Sequence, residues 1–167
     1  MFRLSKITDY GIVLLAHLAK DATESAEPQN ARELAEQVDL PAPVVSKVLK
    51  GLAREGVLES QRGAKGGYAL ARAPHRINVV EVIDALEGAV AITECSAGPL
   101  VCSHEGTCAV RDPLTVLNTV VRDALRAITL ADLIDPSFAA VNLQQSLSSS
   151  PLQILGRTNS PSEEFLE

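Results

Sequence analysis

Residues 30–72 carry the feature that most limits what this chain can fold into. Two short helical patterns separated by one tight turn run directly into two alternating segments joined by glycines. NARELAEQV starts at Asn30, whose side chain can accept hydrogen bonds from the orphan N–H groups of a helix start, and Glu33 stands three residues on, as a capping box requires. Leu34, Ala35 and Val38 form its apolar stripe. Asp39-Leu40-Pro41 then ends this helix after about two turns, because proline has no N–H and disfavours helical geometry in the residue before it. PAPVVSKVLKGLAREG starts a second helix at once. Val45, Val48, Leu49 and Leu52 recur at the spacing of one helix face, which turns Ser46, Lys47, Lys50 and Arg54 outward. After Gly56, VLESQR and YALARA alternate as strands do, and Gly63-Ala64-Lys65-Gly66-Gly67 joins them into a hairpin with a basic tip.

Short helix, tight turn, basic helix and basic hairpin, in that order, predict a winged helix-turn-helix. The DNA major groove is wide enough for one helix, and the second helix of such a motif enters it. Pro43, Ser46, Lys47 and Lys50 on that helix, with Arg62 and Lys65 at the hairpin tip, are the candidate DNA contacts. Ser46 can reach a base edge or a phosphate, and Lys47, Lys50 and Arg54 can neutralise phosphates. Arg62 and Lys65 can enter the narrower minor groove. The competing reading of any single lysine-rich helix face is a solvated surface. The chain's net charge of −6 speaks against nucleic acid only as an average. Residues 41–76 hold seven cations against two carboxylates, a net of +5, which leaves −11 for the rest of the chain.

Composition sets the fold class. The chain is 46% hydrophobic but only 3% aromatic, a balance suited to helix packing, so the prediction is mainly α with one small hairpin. Residues 5–20 show a helical period, and DATESAEPQ is a polar loop. Asn78 caps the helix VVEVIDALEG. Residues 89–108 read as irregular, and a long helix over roughly 112–128 carries Leu114, Leu117, Val120, Val121, Leu125 and Ile128 on one stripe. Thr129 caps LADLI, and residues 142–167 read as a poorly ordered Ser/Pro-rich tail. Domain boundaries are expected at 1–77, 78–136 and 137–167. The longest apolar stretch, Gly11 to Ala19, is too short for a bilayer, and no signal-peptide layout opens the chain, so a cytoplasmic protein with no membrane partner is expected.

All three cysteines, Cys95, Cys102 and Cys108, lie within one Gly/Pro-containing stretch. Thiols in the cytoplasm are normally reduced, so the grouping points to metal or redox chemistry before disulfides. Thiolates select iron–sulfur centres, zinc or monovalent copper. The spacing is wider than structural zinc sites use and supplies three sulfurs, which favours an iron–sulfur cluster (4Fe–4S or 2Fe–2S) completed by a distant residue. Zinc held by the cysteines and His104, a redox disulfide with a spare thiol, and buried structural cysteines are the alternatives.

LSKITDYGIVLLAHLA, QRGAKGGYALAR, INVVEVIDALEG and the three-cysteine stretch together resemble the IscR/NsrR-type, Rrf-type iron–sulfur transcriptional regulators, over residues 1 to about 135 and most closely in the branch that regulates SUF cluster assembly. The resemblance implies a homodimer built on the long helix, double-stranded DNA with an imperfect palindrome as partner, and cluster ligation by Cys95, Cys102 and Cys108. IscR-type chains carry a histidine ligand three residues after the last cysteine; here that position is Arg111, whose guanidinium stays protonated and cannot ligate. The nitric-oxide-sensing branch uses an aspartate of the first helix, supplied by the partner subunit, and Asp9 stands at the matching place. The alternative is that Asp9 is a first-turn acid that favours the helix dipole, a reading that needs no metal. The expected function is repression of a SUF-type operon, with a nitric-oxide-sensing repressor or an iron–sulfur carrier that binds no DNA as alternatives. No paired-carboxylate or Ser/His/acid pattern points to an enzyme.

Overall fold

A computed structural model describes residues 3–21, 27–63, 66–98, 101–104 and 106–138. Lys65 at the hairpin tip and the tail from 142 lie outside these residues. One compact unit spans Met1–Ile134. A second spans Asp135–Glu167; its described start is a turn in which Asp135 Oδ1 accepts from both N and Oγ of Ser137, at 2.8 Å each.

The first unit begins with α1, Lys6–Asp21, which buries Leu14, Leu15, Leu18 and Ala19. α2, Ala31–Gln37, is capped by Asn30, and the cap lands on the N–H of Arg32 (2.8 Å) rather than on Glu33. Val38, expected on the buried stripe, is the half-exposed C-cap. The turn follows from Asp39, which takes a left-handed φ of 53°, a conformation that short polar side chains tolerate best after glycine. The N–H of Leu40 then reaches back to the carbonyl of Ala35 at 3.0 Å, and α3, Ala42–Arg54, starts in a new direction. Val45, Val48, Leu49 and Leu52 of α3 are fully buried, as their spacing predicts.

β1, Leu58–Gln61, pairs antiparallel with β2, Gly67–Leu70, in the register Leu58–Leu70 through Gln61–Gly67. Gln29, just ahead of α2, adds a bridge: its N–H donates to Tyr68 O (2.9 Å) and its carbonyl accepts from Tyr68 N (2.8 Å). Gly67 permits this approach, since a Cβ there would sit 2.3 Å from Gln29 O. The hairpin is thereby fastened to the helix-turn-helix.

A single 3₁₀ turn, Pro74–Arg76, leads to α4, Val79–Glu87. Its Asn78 cap is reciprocal. Asn78 Oδ1 accepts from Glu81 N (3.0 Å) and Nδ2 donates to Glu81 Oε1 (2.7 Å). α4 is buried on two sides. Val82 and Ala85 join the main core, while Val79, Val80 and Ile83 form a second cluster with Val90, against which Leu4, Leu125 and Ile128 pack. The segment expected to be irregular contains one helical turn, α5, Glu94–Ala97, ahead of α6, Arg111–Arg126. α7, Leu130–Ile134, follows Thr129, whose N–H and hydroxyl both donate to Asp132. The architecture is mainly α with a two-stranded wing, as predicted.

Candidate nucleic-acid interface and cysteine segment

Because α3 drives four apolar side chains inward, its opposite face is fixed. Pro43, Lys47, Lys50 and Arg54 are exposed there and Ser46 is half-buried. The face borders a groove of about 560 Å³ whose apolar side is Ile7 of α1 with Ala85 and Leu86 of α4. Its cations differ in availability. Arg54 Nε lies 2.9 Å from Glu55, an exposed pair of the kind that contributes little to stability, and Arg72 Nη2 lies 2.6 Å from Glu81. Among the described residues Lys47, Lys50 and Arg62 have no carboxylate partner, so their charge is available to an outside anion. Arg62 stands exposed at the end of the wing, beyond β1.

The far side of the groove is locked to the start of α1. A Cβ on Gly11 would come within 2.4 Å of Leu86 Cδ1, so α1 and α4 pack closely here and a larger residue would have to displace the end of the Leu86 side chain. One residue later, Glu87 Oε1 accepts from the N–H of Ser5 (2.8 Å) and from the hydroxyl of Thr8, which is fully buried. The Thr8 hydroxyl bond, helped by Ser5, holds the Glu87 carboxyl below its usual range. Asp9, next to Thr8, is exposed. Nothing in the local sequence pattern marks Ser5, Thr8 and Glu87 as partners, since about 80 residues separate them.

The chain leaving α4 is held by side chains of α4 and α6. Asp84 Oδ1 accepts from Val90 N (2.8 Å). Arg122 bonds both Asp84 oxygens, at 3.2 and 2.8 Å, and also donates to Val90 O (3.3 Å). The Asp84 carboxylate in turn raises the pKa of the Arg122 guanidinium. Asn118 of α6, buried and not singled out by the sequence, accepts from Ile92 N at 3.0 Å. Cys95 follows on α5, its Sγ 3.1 Å from Thr93 Oγ1. Cys95, Cys102 and Cys108 are all free thiols and all half-buried. Their chemistry fits a thiolate-held cluster. Within a single chain, no three Cys, His, Asp or Glu side chains converge to hold a metal among the described residues. His104 is exposed, and His17 Nε2 lies 2.9 Å from Gln37 Oε1.

A helix-turn-helix with a fastened wing and a free basic face on its second helix defines a winged-helix DNA-binding transcriptional regulator, a class without enzymatic activity. Residues 4–136 match the Rrf2 family, described as iron-dependent transcriptional regulators, and the chain belongs to that family. It is 33% identical over 132 residues to the HTH-type transcriptional repressor NsrR of Streptomyces coelicolor, covering 79% of this chain and 88% of that one. Among solved structures it is similar to CymR, the global cysteine regulator of B. subtilis, with a TM-score of 0.63 and 27% identity, over 80% of this chain and 97% of CymR. The T. potens IscR structure, at 23% identity and a TM-score of 0.57 over 92% of this chain and 96% of that one, shares the fold. No helix among the described residues is long and apolar enough to cross a membrane.

Proposed function

We propose that this chain is a cytoplasmic, homodimeric repressor that reads iron–sulfur status and acts on an imperfect palindrome ahead of a SUF-type assembly operon. The observation that carries the DNA-binding half is the unpaired Lys47 and Lys50 on the outward face of α3, beside Pro43 and Ser46, with Arg62 on the wing. In this reading residues 1–77 contact DNA, with Lys65 joining Arg62 at the wing tip. Residues 78–136 supply the linker helix, the cysteine segment and the dimerisation helix, and residues 137–167 form a tail. Cys95, Cys102 and Cys108 would hold the cluster, 4Fe–4S or 2Fe–2S, with Asp9 of the partner subunit as fourth ligand. The bound cluster would supply iron sites open to attack by oxidants or nitric oxide. Asp9 sits beside Thr8, which is bonded to the end of α4, and α1 packs on α3. A ligand bond through Asp9 would therefore hold α1 of one subunit and, through it, the spacing of the two α3 helices. Dimers of this class need that spacing to match one helical turn of DNA.

Protein purified without oxygen tests the reading. Charge-transfer bands between about 320 and 420 nm with matching iron and sulfide are expected, their shape separating 4Fe–4S from 2Fe–2S. Removal of the cluster should then lower operator affinity, and Asp9→Ala should alter both spectrum and affinity. A colourless protein after anaerobic reconstitution would overturn the cluster, and an unaltered Asp9→Ala would overturn the fourth ligand. A nitric-oxide-responsive repressor is the second reading, favoured by Arg111 in place of histidine and by Asp9. Release of the operator by nitric oxide but not by iron starvation would select it.

A further inference from the structure

The leading edge of α3 is poor in hydrogen-bond donors. Pro41 is the N-cap and makes no side-chain cap bond, and Pro43 follows inside the first turn, so neither has an N–H to offer. The N–H groups of Val44 and Val45 both point at the Pro41 carbonyl, at 2.9 and 3.1 Å. Ala42 is left as the only residue of 41–45 with an N–H not directed there. The side chains at this edge are no richer: Pro41, Ala42 and Pro43 are exposed and apolar. The first side chain able to hydrogen-bond a base is Ser46, a turn further on and half-buried, followed by Lys47.

An edge of this kind discriminates among bases. The first residues of a groove-entering helix are the ones that meet base edges. In the major groove every base presents hydrogen-bond donors or acceptors, and thymine alone adds an apolar C5-methyl group, where cytosine has only a C5–H. A donor or acceptor stripped of water against a proline ring loses a hydrogen bond and gains none, whereas a methyl group gains by the same contact. We propose that Pro43, with Ala42 beside it, is a specificity-determining contact that selects thymine methyl groups in each operator half-site. The lysines behind it, Lys47 and Lys50, supply phosphate attraction. The inference rests on α3 being the helix that enters the groove.

The test uses the full-length protein prepared without oxygen and a duplex chosen by selection from random-sequence DNA. Each thymine of a half-site is replaced in turn by deoxyuridine, which removes the methyl group and leaves base pairing intact, and affinity is read by fluorescence anisotropy at fixed salt. One or two thymines per half-site should show about fourfold weaker binding on replacement, the value of one buried methyl group. Pro43→Ser should bind thymine and deoxyuridine duplexes equally, with Lys50→Ala measured alongside. Uniform tolerance of deoxyuridine by the unaltered protein, while Lys50→Ala still weakens binding and flattens the salt dependence, would overturn the methyl contact and leave α3 in the groove. A Lys50→Ala protein with unchanged affinity and salt dependence would overturn the placement of α3 itself, and the proposal with it.

Discussion

α3 and α6 carry the same kind of pattern and meet different fates. In α3 the apolar residues Val45, Val48, Leu49 and Leu52 are each 0% exposed, covered by helices of the same chain. In α6, Val116, Leu117 and Val120 are 62%, 47% and 59% exposed, although the sequence places Leu117 and Val120 on a single stripe with Leu125 and Ile128. Only the C-terminal end of that stripe finds a core, in the small cluster with α4. The helix-turn-helix half thus buries the apolar face of α3 within one chain, whereas α6, in the half that carries the cysteines, leaves part of its apolar stripe exposed among the described residues. In the proposed homodimer a second copy of the chain covers that stripe.

The largest effect that sharpens this contrast is dimer loss. Val120→Asp would put an unpaired charge into the apolar surface of the proposed dimer and should raise its dissociation constant on the order of 100-fold, which sedimentation velocity reads. A dimer of undiminished affinity would separate α6 from the interface. Leu49→Ala should cost about 2–5 kcal/mol of unfolding free energy, the range for a fully buried leucine, whereas Val116→Ala should leave the unfolding of dilute, monomeric chain almost unchanged. Equal costs in urea denaturation would erase the distinction.

A smaller effect is expected where the two halves are stapled. Arg122→Ala removes the bidentate partner of Asp84 and the bond to Val90 O, which should cost about 1–2 kcal/mol, since the pair is only partly shielded from water. Protection of the Val90 amide against hydrogen exchange should fall with it; unchanged protection would show that the clamp is not needed. The smallest effect concerns Glu87. Its folded pKa is lowered, so the contribution of its bonds to Ser5 and Thr8 is fully present above the unfolded value of 4.5 and is lost as pH falls through the folded one. Glu87→Gln should therefore reduce the acid sensitivity of unfolding below pH 4.5, and an identical pH profile would contradict the assignment.

Local pattern made α1 to α4, the wing and α6 legible, because helix and strand periods and Asn, Thr and Pro at the boundaries act over a few residues. It also singled out the outward face of α3, once the inward face was known. The bonds that fix the site's surroundings were not legible. Glu87 with Ser5 and Thr8, Asp84 with Arg122, and Asn118 with Ile92 join residues 26 to 82 positions apart, and periodicity carries no information about such partners. The same limit explains α6. An amphipathic stripe shows that a surface must be covered, not whether the cover comes from the same chain.

In the proposed dimer the second copy completes the cysteine half, and iron and sulfide analysis of anaerobically purified Val120→Asp, beside the unaltered protein, decides whether it does. The unaltered protein should be a coloured dimer with matching iron and sulfide, and Val120→Asp a folded monomer whose circular dichroism retains the helices but which binds neither. A monomer with the dimer's full iron and sulfide content would contradict it.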